Sequence, residues 1–176
     1  MEACFEIFKA ENRPNDLVVA SVQHRLGIAL GNVGRTEEAK SYFEKSIEIR
    51  KEKAGEDSLL TAVTYEEVGN LYGTLGMTEK ALEYHNLALD IKSRVCGPWH
   101  SSLGSTYINI GNDFFDLKQY EKALENYKKG LEVDVIPYGQ LHPNIAADYI
   151  AIGNALHHLD RDDEALEYYK KGLDIR

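Results

Sequence analysis

Cysteine is nearly missing from this chain: Cys4 and Cys96 are the only two. Two distant thiols with no CxxC pair make neither a disulfide framework nor a zinc site, so both are expected as free, largely buried thiols in a reducing compartment. Proline is scarce, at four residues, and no low-complexity tract occurs, which leaves little room for a disordered linker. Positive charge is also short. Lys and Arg total 20 against 29 Asp and Glu, for a formal charge of −9. Nucleic-acid binding rests on basic patches and counterion release, so no nucleic-acid partner is expected. Nor is there a polybasic signal for an anionic membrane. No apolar run approaches the roughly 20 residues that span a bilayer. The opening MEACFEIFKAENRP places acids where a signal peptide has cations. With Asn-X-Ser/Thr sequons lacking as well, the expected address is cytoplasmic.

What the chain does have is a period. Gly27, Gly69, Gly111 and Gly153 stand 42 residues apart, and Ala39, Ala81, Ala123 and Ala165 keep the same step. So do Phe43, His85, Tyr127 and Tyr169, and likewise Ile47, Leu89, Leu131 and Leu173. Four registers at one period define internal repeats. Within a unit the apolar spacing is helical: Leu26, Leu30 and Val33 share a face, as do Val68, Tyr72 and Leu75. A second helix comes next, with Ala39, Phe43 and Ile47 at steps of four. The short turns lie at 34–36, 76–78, 118–120 and 160–162. Thr36, Thr78 and Asp162 are expected to cap the second helices, with acids in the first turn. Tyr120 cannot cap, so its turn must be held by packing. Each unit is therefore a helical hairpin.

A glycine inside a helix costs about 1 kcal/mol relative to alanine. Four of them in register need a packing reason: glycine on the first helix and alanine on the second would let the backbones approach, with Phe43, Tyr72, Phe114 and Tyr127 filling the wider ends.

The run Tyr65-x-x-Val68-Gly69-Asn70-x-Tyr72, continued by Ala81-x-x-x-His85-x-x-Ala88, resembles the tetratricopeptide repeat. The third unit matches through Tyr107, Ile110-Gly111-Asn112, Phe114, Ala123 and Tyr127, and the fourth through Tyr149, Ile152-Gly153-Asn154, Ala165 and Tyr169. The first is looser, with Gln23 at the leading bulky place. The family's usual unit is 34 residues and ends in proline. Here Lys51, Ser93 and Val135 stand in that place, so the second helix is expected to run about two turns longer. The joints Gly97-Pro-Trp-His100 and Gly139-Gln-Leu-His142-Pro143 resemble the Gly-x-x-His-Pro joints of kinesin light chains. Glycine would end one helix, histidine would act as a cap or hinge contact, and Pro143 would open the next helix.

The resemblance implies an all-α fold, a right-handed α-α superhelix (TPR solenoid) of antiparallel helix pairs. The expected units are 18–59, 60–101, 102–143 and 144–176, the last truncated in its second helix. Residues 1–17 align with the second helix and joint of a preceding repeat, through Phe5, Ile7 and 13–20. Arg176 aligns with Arg50, so no capping helix is expected after it, and end-to-end self-association through uncapped terminal repeats becomes an option.

In the family, peptides lie in the concave groove lined by the first helices. By that analogy the groove residues are His24, Glu66, Ile108 and Ile150 in one column, and Asn70, Asn112 and Asn154 in the next. Phe115, Asp116 and His157 lie toward the turns. An amide donates and accepts together, so an asparagine ladder could fix an extended peptide backbone; alternatively, each could bond only to a neighbouring helix. Chaperone-binding members grip a terminal carboxylate with lysine and arginine. Here those places hold His24, Glu66, Ile108 and Ile150, with Asn32, Thr74, Asp116 and His158 near the turns, so no cationic clamp is present. A protein or peptide with apolar anchors and a basic residue would suit the groove.

Catalysis finds no footing. P-loop, dinucleotide and Gly-x-Ser-x-Gly fingerprints are absent, and no cofactor is implied. His157-His158 precede Asp160, Asp162 and Asp163, but adjacent residues on a helix point about 100 degrees apart and the acids serve the turn, so no metal site is expected. The expected function is a non-catalytic protein-interaction module. The alternative is a structural, self-assembling segment of a longer repeat protein.

Overall fold

The computed structural model describes residues 16–139 and 141–175. Their regular structure is helical: α1 Asp16–Asn32, α2 Thr36–Ala54, α3 Leu59–Thr74, α4 Thr78–Cys96, a 3₁₀ turn Ser101–Leu103, α5 Gly104–Asp116, α6 Tyr120–Tyr138, α7 Pro143–His158 and α8 Asp162–Asp174. The expectations placed on residues 1–15, on Cys4 and on Arg176 lie outside the described residues. The fold is all-α, and successive helices form antiparallel pairs. The chain divides into two compact units at Thr64/Tyr65, inside α3. Among the described residues, no helix is long and apolar enough to cross a membrane.

In the first unit, Ala20, Ala39, Ala62 and Phe43 are buried, and the Ser46 hydroxyl donates to the Ala20 carbonyl at 2.8 Å. The core of the second unit gathers Ala123, Leu124 and Tyr127 of α6 with Ile152, Ala155 and Leu156 of α7 and Ala165 of α8. Val68 and Tyr72 are buried as their spacing implies. Leu26, Val33 and Leu75 are exposed, although they share the same helical spacing.

The repeated glycine has a more specific partner than the expected alanine. A Cβ on Gly27 would lie 2.7 Å from the Phe43 ring, and one on Gly69, Gly111 or Gly153 would lie 2.5 Å from His85, Tyr127 or Tyr169. The ring sixteen residues ahead therefore rests directly on the glycine backbone. The alanine column, buried at 0–2% exposure, supports it from beside.

The turns within hairpins also correct the expectation. Thr36, Thr78 and Asp162 are the first helical residues, not the caps. Arg35, Met77 and Arg161 precede them and form no side-chain cap bond. Each turn closes instead through a left-handed residue at Gly34, Gly76, Lys118 or Asp160, with φ between 57° and 79°. The next N–H reaches back five residues: Arg35 to Leu30, Met77 to Tyr72, Gln119 to Phe114 and Arg161 to Leu156, at 2.8–3.0 Å. These are Schellman closures, which satisfy carbonyls at the end of the first helix without a side chain. The turn before Tyr120 is thus held as the others are.

Between hairpins, α2, α4 and α6 each run 19 residues and stop at Gly55, Gly97 and Gly139. Gly55 has φ 91° and ψ 161°, a region open essentially to glycine alone. Then a side chain caps: Ser58 Oγ accepts from the Leu60 N–H, and His100 and His142 accept through Nδ1 from the Ser102 and Asn144 N–H groups, each at 3.2 Å. Pro143 stands at the start of α7. The joint histidines are caps.

Candidate functional site

Within the second unit, α3, α4 and α5 enclose a pocket of about 220 Å³ lined by Asn70, Gly73, Thr74, His85, Asn109, Asn112, Asp113 and Asp116. Its floor is a buried hydrogen bond. His85 Nδ1 lies 2.5 Å from Asp113 Oδ2, and the pair is all but sealed from solvent. His85 Nε2 lies 3.2 Å from Asn70 Oδ1, so both ring nitrogens are engaged. Burial raises the Asp113 carboxyl above its usual range, against the lowering pull of the His85 hydrogen bond. Asp116 stands exposed at the rim.

The three asparagines are exposed. Each also bonds the second helix of its own hairpin: the Tyr127 hydroxyl donates to Asn112 Oδ1 at 2.8 Å and the Tyr169 hydroxyl to Asn154 Oδ1 at 2.9 Å, the counterparts of His85 on Asn70. Burial pushes the neighbouring Glu67 carboxyl up, against the lowering influence of the Asn70 amide. The carbonyl of each amide is thus committed to the repeat, and a ligand would meet its donor half.

The column His24, Glu66, Ile108 and Ile150 turns toward the protein more than its groove assignment implied. His24 meets the Phe43 ring edge-on at 5.9 Å, and burial drives its pKa down to about 4, helped by Arg50 and Arg25. Glu66 is not held out for a ligand. Its carboxylate pairs with Lys92 Nζ at 2.6 Å and accepts from the Thr106 hydroxyl. Ile108 packs on Gly130, where a Cβ would meet its Cδ1 at 2.7 Å. Ile150 alone of the four is open, at 48% exposure.

Phe115 meets Tyr120 and His158 edge-on at 5.2 and 5.1 Å, and these two stack on each other at 4.6 Å. His157 Nδ1 donates to Asp162 Oδ1 at 2.6 Å on the surface. The pocket therefore unites Asn70, Asn112 and Asp116, with Phe115 one residue from Asp116. His24 and Glu66 are drawn to other partners. Among the described residues, no group of three or more His, Cys, Asp or Glu side chains is placed to hold a metal.

The pairing of His85 with Asp113 escapes a reading for repeated features, because His85 counts there as one more ring of its column and Asp113 breaks its own. His85 replaces the ring of Phe43, Tyr127 and Tyr169, and Asp113 replaces the Ala29, Leu71 and Ala155 column. The signal was a paired departure from two columns.

Helical hairpins repeated at 42 residues, each with a glycine under a ring and a Schellman turn, define a helical-repeat interaction scaffold. The family model for the tetratricopeptide repeat matches residues 18–94 and 102–176. The chain belongs to the tetratricopeptide repeat family, whose repeats are protein-interaction and scaffold modules and are generally non-catalytic. No curated protein sequence matches it as a relative.

Solved structures share the fold. BtubC (BKLC) from P. vanneervenii superposes with a TM-score of 0.85 at 19% identity, over 94% of this chain and 66% of its own length. A kinesin-light-chain-type protein of Podosopora anserina with nearly identical TPR-like repeats gives 0.75 at 17%, over 96% and 81%. MamA gives 0.67 at 19%, over 97% and 82%. The chain thus spans just under two thirds of BtubC, and at these identities the likeness is one of fold.

Proposed function

We propose that this array binds an extended segment of a partner protein, and that the pocket between α3 and α5 receives a basic side chain of that segment. The observation that carries the reading is the pocket's composition: an exposed carboxylate, Asp116, beside the amides of Asn70, Asn109 and Asn112, over a floor already fixed by His85 and Asp113. Amide donors suit a peptide backbone, and Asp116 supplies charge for a lysine or arginine. Phe115 and Ile150 offer the apolar anchors. With Glu66 neutralised by Lys92, the acidic character of the groove rests on Asp116.

The test is selection from a random peptide display library on the full chain, repeated with Asn112→Ala and Asp116→Asn. The reading expects enriched peptides with a basic residue beside aliphatic or aromatic ones, and weaker capture by both variants. Enrichment of acidic peptides, or capture indifferent to both changes, would overturn it.

A further inference from the structure

The joints between successive hairpins carry a buried polar column with the same 42-residue step. In the first, Arg50 Nη1 donates to the Leu60 carbonyl at 2.5 Å and to Thr64 Oγ1 at 2.6 Å. In the second, Lys92 Nζ donates to the Ser102 carbonyl and to Thr106 Oγ1, both at 2.9 Å, and pairs with Glu66. A cation from the long helix thus meets a carbonyl and a threonine of the next hairpin. Arg50 and Lys92 are each 4% exposed, and both threonines are fully buried.

The third joint inverts this chemistry. The cation's place is taken by Asp134 of α6, and the threonine's by Asp148 of α7. Both are buried, at 8% and 5% exposure. A third column changes with them. Ala20, Ala62 and Ala146 share a register with Gly104, and a Cβ on Gly104 would fall on the Asp134 carboxylate itself. The missing methyl is the room in which that carboxylate sits. Three registers therefore depart together, which points to an accommodated feature of this joint rather than one stray substitution.

Asp134 and Asp148 hold the registers at which Lys92 and Thr106 touch in the second joint, and two carboxylates so placed out of water cannot both stay ionised cheaply. The charge that bears on Asp148 of α7 is that of Asp134 on α6, and α5 presents the Gly104 backbone to the Asp134 carboxylate. Asp148 Oδ2 is buried with no hydrogen-bond partner. We infer that Asp134 and Asp148 form a proton-binding site that holds one proton between them at neutral pH, keeps the α6–α7 joint closed while it does, and loosens that joint when the proton leaves.

Burial and the Asp134 charge push Asp148 up to about 7, and burial raises Asp134 as well. The proton would therefore leave near neutrality, where a modest change of pH alters the population. By linkage, a carboxyl whose folded pKa is raised makes the folded state the better proton binder. Its contribution is full below 3.8, falls as pH rises from 3.8 to about 7, and is lost above. Ionisation would require water or separation of helices at the joint that sets Asn112 against Asn154. The pair would make the spacing of those asparagines pH-sensitive.

The experiment uses the whole chain, with Asp148→Asn and with the double variant Asp134→Lys/Asp148→Thr, which restores the cation and the threonine of the second joint, with Ile108 standing where Glu66 stands there. Carboxyl carbon NMR of the wild type should show one aspartate titrating near neutrality, a proton affinity on the order of a thousandfold above an ordinary aspartate. That titration should vanish in Asp148→Asn. Hydrogen exchange of the α7 amides, corrected for intrinsic base catalysis, should accelerate through neutrality in the wild type and stay flat in the double variant. All aspartates titrating in the ordinary range would overturn the inference. So would identical exchange profiles in wild type and double variant, or stabilisation by calcium or sodium at fixed ionic strength, which would make the pair a cation site. If either variant fails to fold, the wild-type titration alone decides.

Discussion

His85 and Asp113 are bonded at 2.5 Å between α4 and α5, and each stands where the other repeats hold an apolar or aromatic residue. The pair is a coupled substitution inside the core of the second unit. His85 still does what Tyr127 and Tyr169 do, covering a helix glycine and holding an asparagine carbonyl. It adds one link the tyrosines lack, across to the next hairpin.

Breaking that link from one side should be costly, and replacing it whole should not. His85→Tyr alone strands the Asp113 carboxyl in the core, a change expected to cost about 3–5 kcal/mol. His85→Tyr with Asp113→Leu, the residue found in that column at Leu71, should recover most of the loss. Urea unfolding of both singles and the double gives the cycle. Additive losses would mean the two side chains are not coupled. Asp113 also predicts a sign with pH. Its carboxyl is raised chiefly by burial, so its contribution is full below the ordinary value of 3.8 and declines as pH rises through the raised one.

The glycine under each ring predicts a graded effect of adding one methyl. At Gly111 the new Cβ would meet Tyr127, which is 3% exposed and has no room to yield. Gly111→Ala should cost about 1–3 kcal/mol. At Gly153 the same clash meets Tyr169, which is half-buried and can swing outward. Gly153→Ala should cost distinctly less. Thermal unfolding of the two variants compares them, and equal losses would count against the ring as the obstacle.

The hairpins, the extended second helices and the histidine caps were legible because each arises from residues that recur at one step. Gly55, Gly97 and Gly139 stop the long helices, and Ser58, His100 and His142 cap the start of the next hairpin, one residue type substituting for another in the same role. The site was less legible. Projecting His24, Glu66, Ile108 and Ile150 into a groove assumed that a column keeps one environment, but Lys92 claims Glu66 and Gly130 opens a seat for Ile108. The partners that redirect these side chains lie 22 to 26 residues away on another helix, and a one-helix projection does not weigh them. His85 with Asp113, and Asp134 with Asp148 and Gly104, were present as departures from columns, and departures carry chemistry only when two or three coincide in space.

The inner turns offer a stabilising change. Lys118 and Asp160 sit at φ 58° and 57°, where Gly34 and Gly76 serve elsewhere. A left-handed residue with a Cβ costs roughly 1–2 kcal/mol, while glycine's extra freedom in the unfolded chain returns about 0.5–1 of that. Lys118→Gly should therefore stabilise by about 0.5–1 kcal/mol, and Gly76→Lys should destabilise by a similar amount. Chemical denaturation resolves differences of that size. Loss of stability in Lys118→Gly would mean the lysine side chain contributes more than the strain of its backbone.

His24 provides the pH dependence of opposite sign. It lies in the first unit against Phe43, with Nδ1 buried and unbonded, and its pKa falls from 6.5 to about 4 through burial and the neighbouring Arg50 and Arg25. A histidine depressed in the folded state is the better proton binder only after unfolding. Its contribution to stability is complete above 6.5 and is lost as pH falls from 6.5 to about 4. Asp148 works the other way over much the same window, from 3.8 to about 7. The wild-type profile should therefore be flatter than either group alone would make it. Removing one should expose the other. His24→Leu, which keeps an apolar contact with Phe43, should leave a chain that gains stability on acidification through this window, while Asp148→Asn should leave one that loses it. Unfolding midpoints at a series of pH values separate the two, because the variants bend away from the wild type in opposite directions. Parallel shifts of both, independent of pH, would show that neither group titrates as its burial requires.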